Sequence, residues 1–233
     1  MLLDHDDYMP RFLHVTGAFH SDVQAAHLAP VQRGSIVVMD RAYIDYRLWA
    51  KWTTQGVFFV TRLRRDLQIE TVDELPIPRR GNVIQDEFVN LSSRWGRQDY
   101  PFPLRRIIVY NAETDELIVL LTNHLSFGPS TIANIYRQRW HIEVFFKTLK
   151  QNLKIKTFIG TSENALLIQI WTALTALLLL RWLHCLCQKN WAFSILVSLL
   201  RLNLFTYRDL NDWLKDPVRT PPLEPQQLQL IMS

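Results

Sequence analysis

Ser35-Ile36-Val37-Val38-Met39-Asp40 and Val57-Phe58-Phe59-Val60-Thr61-Arg62 are two apolar runs, separated by a stretch of helical periodicity from about Tyr43 to Thr54. Runs this short, rich in β-branched and aromatic residues and lacking alternation, read as strands buried on both faces. The first ends on a carboxylate, Asp40, the second on a guanidinium, Arg62, and the helix between them stops before Gly56. Strand, helix, strand implies an α/β sheet with parallel members.

Upstream, Met1 to Leu3 and Arg11 to Thr16 are strand-like and joined by a polar turn through Asp4, Asp6 and Asp7, which predicts a β-hairpin. Ser21 or Asp22 can cap a short helix ending near Pro30. Downstream, residues 64–123 change to short β runs broken by Pro76, Pro78, Gly81, Pro101 and Pro103. The clearest piece is a hairpin of Arg105–Tyr110 against Glu116–Leu121, and the stretch reads as a β-rich insertion. From Pro129 one long helix is expected to run to about Asn152. After it come an extended piece at Lys154–Ile159, a helix opened by Ser162 and Glu163, further helices, and a proline-rich tail.

A chain of 233 residues that is 48% hydrophobic and 21% charged can bury one sizeable core, so a globular domain with elaborations is expected and disorder is excluded. The net charge of +4 permits a polyanionic partner without identifying one. On a helix the side chains of Cys185 and Cys187 point in very different directions, so a bridge is not expected and they read as reduced core residues. The N-terminus lacks the basic start and long apolar run of a secretory signal. Ala165–Leu180 falls short of the roughly 20 residues a span needs and contains Gln169, Thr172 and Thr175, so it reads as a buried helix with no membrane partner.

On the long predicted helix, Tyr136, Arg139, Glu143, Lys147 and Lys150 fall within a narrow arc, beside an apolar face of Ile132, Ile135, Ile142, Phe145 and Phe146. Taken singly, Glu143 and Lys147 are an ordinary solvated pair. The joint spacing of Tyr136, Arg139, Glu143 and Lys150 arises by chance on the order of once in a thousand sequences of this length, which favours a functional stripe.

The series Asn134-Ile135-Tyr136-Arg137-Gln138-Arg139-Trp140-His141-Ile142-Glu143-Val144-Phe145-Phe146-Lys147, continuing through Lys150-Gln151-Asn152-Leu153 and Phe158-Ile159-Gly160-Thr161-Ser162-Glu163-Asn164, resembles the signature of DDE transposases of the insertion-sequence-four type. Asp40-Arg41-Ala42-Tyr43 is similar to the segment carrying that family's second catalytic aspartate. The resemblance implies a ribonuclease H-like mixed sheet flanked by helices, with a β-rich insertion before the last catalytic helix. On that basis residues 1–63 are the first part of the core, 64–125 the insertion, 126–188 the second part with the catalytic helix, and 189–233 a C-terminal helical extension and tail.

The resemblance further implies that Asp40 and Glu143 are two of three carboxylates holding divalent metal, Mg2+ or Mn2+, for hydrolysis and strand transfer at insertion-sequence ends. Tyr136, Arg139 and Lys150 resemble residues that contact DNA phosphates, with Lys147 and Arg62 as further candidates. Double-stranded DNA, both transposon ends and target, is the implied partner, engaged by a homodimer in a cytoplasmic, nucleoid-associated setting. Trp95 and Trp140 read as core aromatics, with base stacking the less favoured role. The family's first aspartate lies on a strand preceding the opening hairpin, at which this chain begins. The expectation is therefore a truncated and inactive transposase. The alternative is a non-catalytic DNA-binding or dimerising fragment that inhibits full-length enzyme.

Overall fold

In a computed structural model of the chain, the described residues are 1–5, 9–14, 22–152, 162–187, 191–203, 205–216 and 218–221. Contacts divide the chain into two compact units, Met1–Glu143 and Val144–Ser233, where the sequence suggested one domain.

The first unit is built on one mixed sheet. Strands β3 (Ile36–Met39), β4 (Phe58–Arg62), β5 (Ile69–Glu74), β6 (Val83–Leu91), β7 (Leu104–Asn111) and β8 (Glu116–Thr122) lie in the order β3-β4-β8-β7-β6-β5. β3 and β4 are parallel, in register from Ile36 opposite Phe58 to Met39 opposite Thr61, as the strand-helix-strand reading requires. All other pairs are antiparallel, beginning with β4 against β8, so the strands of the predicted insertion continue the same sheet. The opening hairpin is present as a separate pair, β1 (Leu2–Leu3) and β2 (Pro10–Phe12), and α1 spans Asp22–Leu28.

Alternation along β4 shows how the sheet is covered. Phe59 points into a core with Trp49, Trp52, Val37, Tyr100 and Leu121, whereas Val60 points into a second core with Ile107, Val109, Leu120 and Ile132. Helix α2 (Tyr46–Thr54) supplies the tryptophans of the first core, with Trp49 stacked on Phe59 at 4.7 Å. Helix α4 (Pro129–Arg137) supplies Ile132 to the second. Helices thus cover both faces of the mixed sheet, the arrangement expected of a ribonuclease H-like α/β domain.

Helix α2 starts three residues later than the pattern suggested. Asp40 first caps a 3-10 turn, Arg41–Tyr43, and Asp45 then caps α2 by accepting the Leu48 N–H. At its end Gly56 has φ +72°, with Gly56 N–H bonded to Thr53 O and Val57 N–H to Trp52 O. This left-handed turn reverses the chain into β4 and needs glycine.

The short α3 (Arg94–Asp99) follows β6. Charged residues lie inside the sheet, where sequence reading placed none. Arg105 on β7 grips Asp86 on β6 through two bonds of 2.7 and 2.6 Å, with both side chains almost fully buried. Its Nη1 also donates to the carbonyls of Leu125 and Phe127, in the link from β8 to α4. On the other face Arg106 pairs with Glu87, whose second oxygen accepts from Thr71 Oγ1. Asn123 extends the edge of β4, accepting the Phe59 N–H and donating to Val57 O and Thr53 Oγ1.

His124 lies in the same link, between the rings of Phe58 and Phe127 at 4.3 and 3.7 Å, and its Nδ1 accepts the Phe127 N–H. Burial, reinforced by the charge of Arg105, lowers its pKa from 6.5. A lowered folded value means that the unfolded chain binds more protons between the folded pKa and 6.5. Stability from this site is complete above that window and is lost as pH falls through it. Thermal melts are expected to show a lower Tm at pH 5.5 than at pH 7.5, with the difference reduced in His124→Asn; an unchanged difference in the variant would rule out His124 as its source.

The long predicted helix is two helices. α4 ends at Arg137, and α5 runs from Trp140 to Asn152, crossing into the second unit. Between them Gln138, Arg139, His141 and Ile142 donate three residues back, to Ile135, Tyr136, Gln138 and Arg139. Such bonds wind the chain about 20° per residue tighter than an α-helix, which shifts the phase of α5 against α4. No proline or glycine marks this junction, so periodicity alone runs straight through it.

In the second unit, α6 (Glu163–Leu186) starts at the predicted cap, Ser162, whose Oγ accepts the Ala165 N–H. α7 (Phe193–Leu202) and α8 (Leu210–Lys215) share a small core of Leu196, Trp213 and Leu214. The expectation that α6 is buried is not met. Only Ala173, Leu174 and Leu177 are buried along it, while Trp171, Leu179 and Trp182 are about half exposed. Over 24 residues with mean hydropathy 1.8 in its most apolar stretch, α6 is long and apolar enough to cross a membrane. Cys185 is also exposed rather than core, and Cys187 Sγ donates to Leu214 O. The predicted extended piece, Lys154–Ile159, lies outside the described residues.

Candidate functional site

Five of the seven predicted site residues belong to the first unit. Because β3 and β4 are parallel, their C-terminal ends lie side by side. Asp40 and Arg62 each stand one residue beyond the last matched pair, Met39 and Thr61. By strand alternation Asp40 shares a face with Ile36, and Arg62 with Val60, which is the face that α4 covers. The carboxylate of Asp40 is exposed. One oxygen, Oδ1, accepts the Arg41 N–H at 2.6 Å as the cap of the 3-10 turn.

Tyr136 approaches from the last turn of α4, Arg139 from the junction, and Glu143 from the first turn of α5. The tightened junction means that a single helical phase does not align them. Arg139 does so directly. Its guanidinium lies over the Tyr136 ring at 6.0 Å from the centroid, and its Nη1 donates to Glu143 Oε1 at 2.8 Å. Half the Glu143 carboxylate is thereby held, and the side chain stays 42% exposed, enough for a ligand from solvent to reach it.

The charges of this group are coupled to the strand ends. Burial raises the Tyr136 pKa; the positive charges of Arg139 and Arg62 oppose the rise, and Asp40 adds to it. Tyr136 is therefore a phenol at neutral pH and can donate a hydrogen bond. For Arg139 burial acts to lower the pKa, but the bond to Glu143 and the charges of Tyr136, Glu143 and Asp40 outweigh it and the value rises. Asp40, Arg62, Tyr136, Arg139 and Glu143 thus form one electrostatic group. Arg62 also makes a loose pair with Glu116 at 3.8 Å.

Lys147 and Lys150 lie further along α5, in the second unit, and both are exposed. Trp95 and Trp140, read as core, are instead 67% and 59% exposed. Among the described residues no three His, Cys, Asp or Glu side chains stand close enough together to hold a metal. Asp4 is engaged by Arg11 at 2.9 Å, and Asp6 and Asp7 lie outside the described residues.

Residues 2–179 match the family model described as the transposase DDE domain. A protein of Sinorhizobium fredii named as a transposase is 35% identical over 185 residues, covering 78% of this chain and 51% of its own length. One of Geobacillus stearothermophilus, named as the transposase of an insertion sequence element, is 29% identical over 199 residues, 82% of this chain and 52% of the relative. A third, of Synechocystis, also named for an insertion sequence element, is 24% identical over 192 residues, 78% of this chain and 51% of the relative. The chain spans about half the length of the curated relatives it matches. With a mixed sheet ending in Asp40 and a tyrosine, arginine and glutamate gathered beside it, the match over residues 2–179 places this chain in the DDE transposase domain family.

Proposed function

We propose that this chain supplies part of the active site of an insertion-sequence transposase of the insertion-sequence-four type, acting on double-stranded DNA at transposon ends and target. The observation that carries the reading is the convergence of Asp40, at the end of a parallel strand, with Arg62 and the Tyr136–Arg139–Glu143 cluster. Carboxylate oxygens are hard donors suited to Mg2+ or Mn2+, and Asp40 and Glu143 are both exposed enough to be reached from solvent. Bound there, the metal would activate an attacking hydroxyl and stabilise the leaving oxygen at phosphorus. Arg139, Arg62 and the Tyr136 hydroxyl would fix phosphate oxygens without reading bases. Exposed Trp140, next to Arg139, is free to stack on an unpaired base.

Two carboxylates are too few to bridge a metal pair, and the described residues add no third. We therefore expect this chain alone to cleave DNA slowly or not at all, and to need a further carboxylate from outside the described set. The same observation favours the second reading, an inhibitory DNA-binding or dimerising fragment. A homodimer on DNA, a cytoplasmic location and the role of residues 64–125 as an insertion belong to this proposal.

Incubating the 233-residue chain with supercoiled DNA and Mn2+ tests the DNA-directed reading and the need for another carboxylate. Salt-sensitive binding without nicking is the expected result, and efficient metal-dependent nicking would contradict the need for another carboxylate. Lys147→Ala with Lys150→Ala is expected to weaken binding to all duplexes alike and to lower the slope of log affinity on log salt by about 2. An unchanged slope, read by fluorescence anisotropy, would remove both lysines from the interface.

A further inference from the structure

Next to Asp40 the first unit contains a cavity of about 500 Å3, lined by Asp40, Arg41, Ala42, Arg64, Arg65 and Asp66. Its walls are the two segments that leave the parallel strands. Arg41 follows Asp40 after β3, and Arg64 to Asp66 follow Arg62 after β4. Three guanidinium groups and two carboxylates give it a formal charge of +1 (3 − 2), concentrated beside the strand ends. A concave, solvent-open space of this size suits a nucleotide-sized unit better than a lone ion.

The charges are not equivalent. Arg64 Nε already donates to Asp66 Oδ1 at 2.5 Å, so Asp66 neutralises one of the three arginines. Asp40 accepts only the backbone N–H of Arg41, and the Arg41 side chain is exposed in the cavity lining. Arg65 is likewise exposed, on the opposite wall. Two forked cations lining one open space, from the segments that leave two adjacent strands, are an arrangement that can hold a phosphodiester in place without reading sequence.

We propose that this cavity seats a backbone phosphate of the DNA strand flanking the bond presented to Asp40, with Arg41 and Arg65 as its contacts and Asp66 holding Arg64 back. The proposal rests on the DNA-directed reading above and adds a second anchoring point to it. Held at the bond presented to Asp40 and at the phosphate between Arg41 and Arg65, the strand is fixed in direction as well as in position. Asp66 is then a restraint on affinity, since neutralising it releases Arg64 toward the phosphate.

The test is fluorescence anisotropy of the 233-residue chain with a labelled DNA duplex of arbitrary sequence, over a range of KCl concentrations. All the altered side chains are exposed, so folding is not at stake. Arg41→Gln with Arg65→Gln is expected to weaken binding about tenfold near 0.1 M salt and to reduce the salt slope by about 2. Asp66→Asn is expected to act in the opposite direction, tightening binding and steepening the slope. Arg79→Gln with Arg80→Gln removes the same charge from the β5–β6 connection, at the far edge of the sheet, and is expected to leave both quantities near the parent's. Loss in the Arg41/Arg65 variant no greater than in the Arg79/Arg80 variant overturns the proposal while leaving the DNA-directed reading intact. Absence of DNA binding by the parent overturns that reading and this one with it.

Discussion

Arg105→Met is expected to destabilise the first unit by about 3–5 kcal/mol, because it leaves the Asp86 carboxylate charged and without its partner inside the sheet. The two bonds to Asp86 are one part of the loss. The others run to Leu125 O and Phe127 O, the carbonyls that set the approach of the chain to Pro129 and hence to α4. Lysine is a poor replacement, since a single ammonium cannot meet a carboxylate and two carbonyls in the plane that guanidinium does. Arg105→Met combined with Asp86→Leu is expected to be milder than Arg105→Met alone, because no buried charge is then stranded. Urea unfolding of the three proteins measures these differences. A loss below about 1 kcal/mol for Arg105→Met would show that Asp86 reaches water or another cation.

The second large effect concerns chemistry. In any form of the protein that cleaves DNA, Asp40→Asn or Glu143→Gln is expected to lower the rate by at least two orders of magnitude, since under the proposed function each removes the anionic oxygen that would bind metal while keeping shape. The two changes together are expected to cost little more than either alone, because the proposed function has both act through one metal-binding unit. Arg139→Gln is expected to be intermediate: it removes the contact that holds Glu143 and a cation beside it, but neither carboxylate. Single-turnover cleavage at saturating DNA separates these from effects on affinity. A rate in Glu143→Gln within a few-fold of the parent would exclude Glu143 from the reaction.

Local chemistry made much of this fold legible. Continuous β-branched runs gave β3 and β4, Gly56 gave the end of α2, and the polar turn between Tyr110 and Glu116 gave the β7–β8 hairpin. Asp40 stood out as a carboxylate at a strand end, and the spacing of Tyr136, Arg139 and Glu143 brought them to one place. What stayed hidden depends on distant parts of the chain. Asp86, Glu87, Arg105 and Arg106 lie in a stretch that reads as a separate β-rich piece, and their pairing depends on strands of one sheet, which β8 joins to β4. The break at Gln138–Arg139 carries no glycine or proline, so periodicity does not show it; of the predicted stripe, Lys147 and Lys150 lie in the second unit, while Tyr136, Arg139 and Glu143 meet. Arg139, rather than an unbroken helix, holds them together. Trp140 stands beside a packing face and Ala165–Leu180 is a short apolar run, but neither feature says which faces find a partner.

Mn2+ binding to the 233-residue chain, followed by the loss of the free-ion electron paramagnetic resonance signal with and without duplex DNA, tests most directly whether Asp40 and Glu143 form a metal-binding site on a DNA-binding surface. The expected result is weak uptake by the parent, strengthened by DNA and absent from Asp40→Asn/Glu143→Gln. Equal uptake by the parent and the double variant, in both conditions, would contradict it.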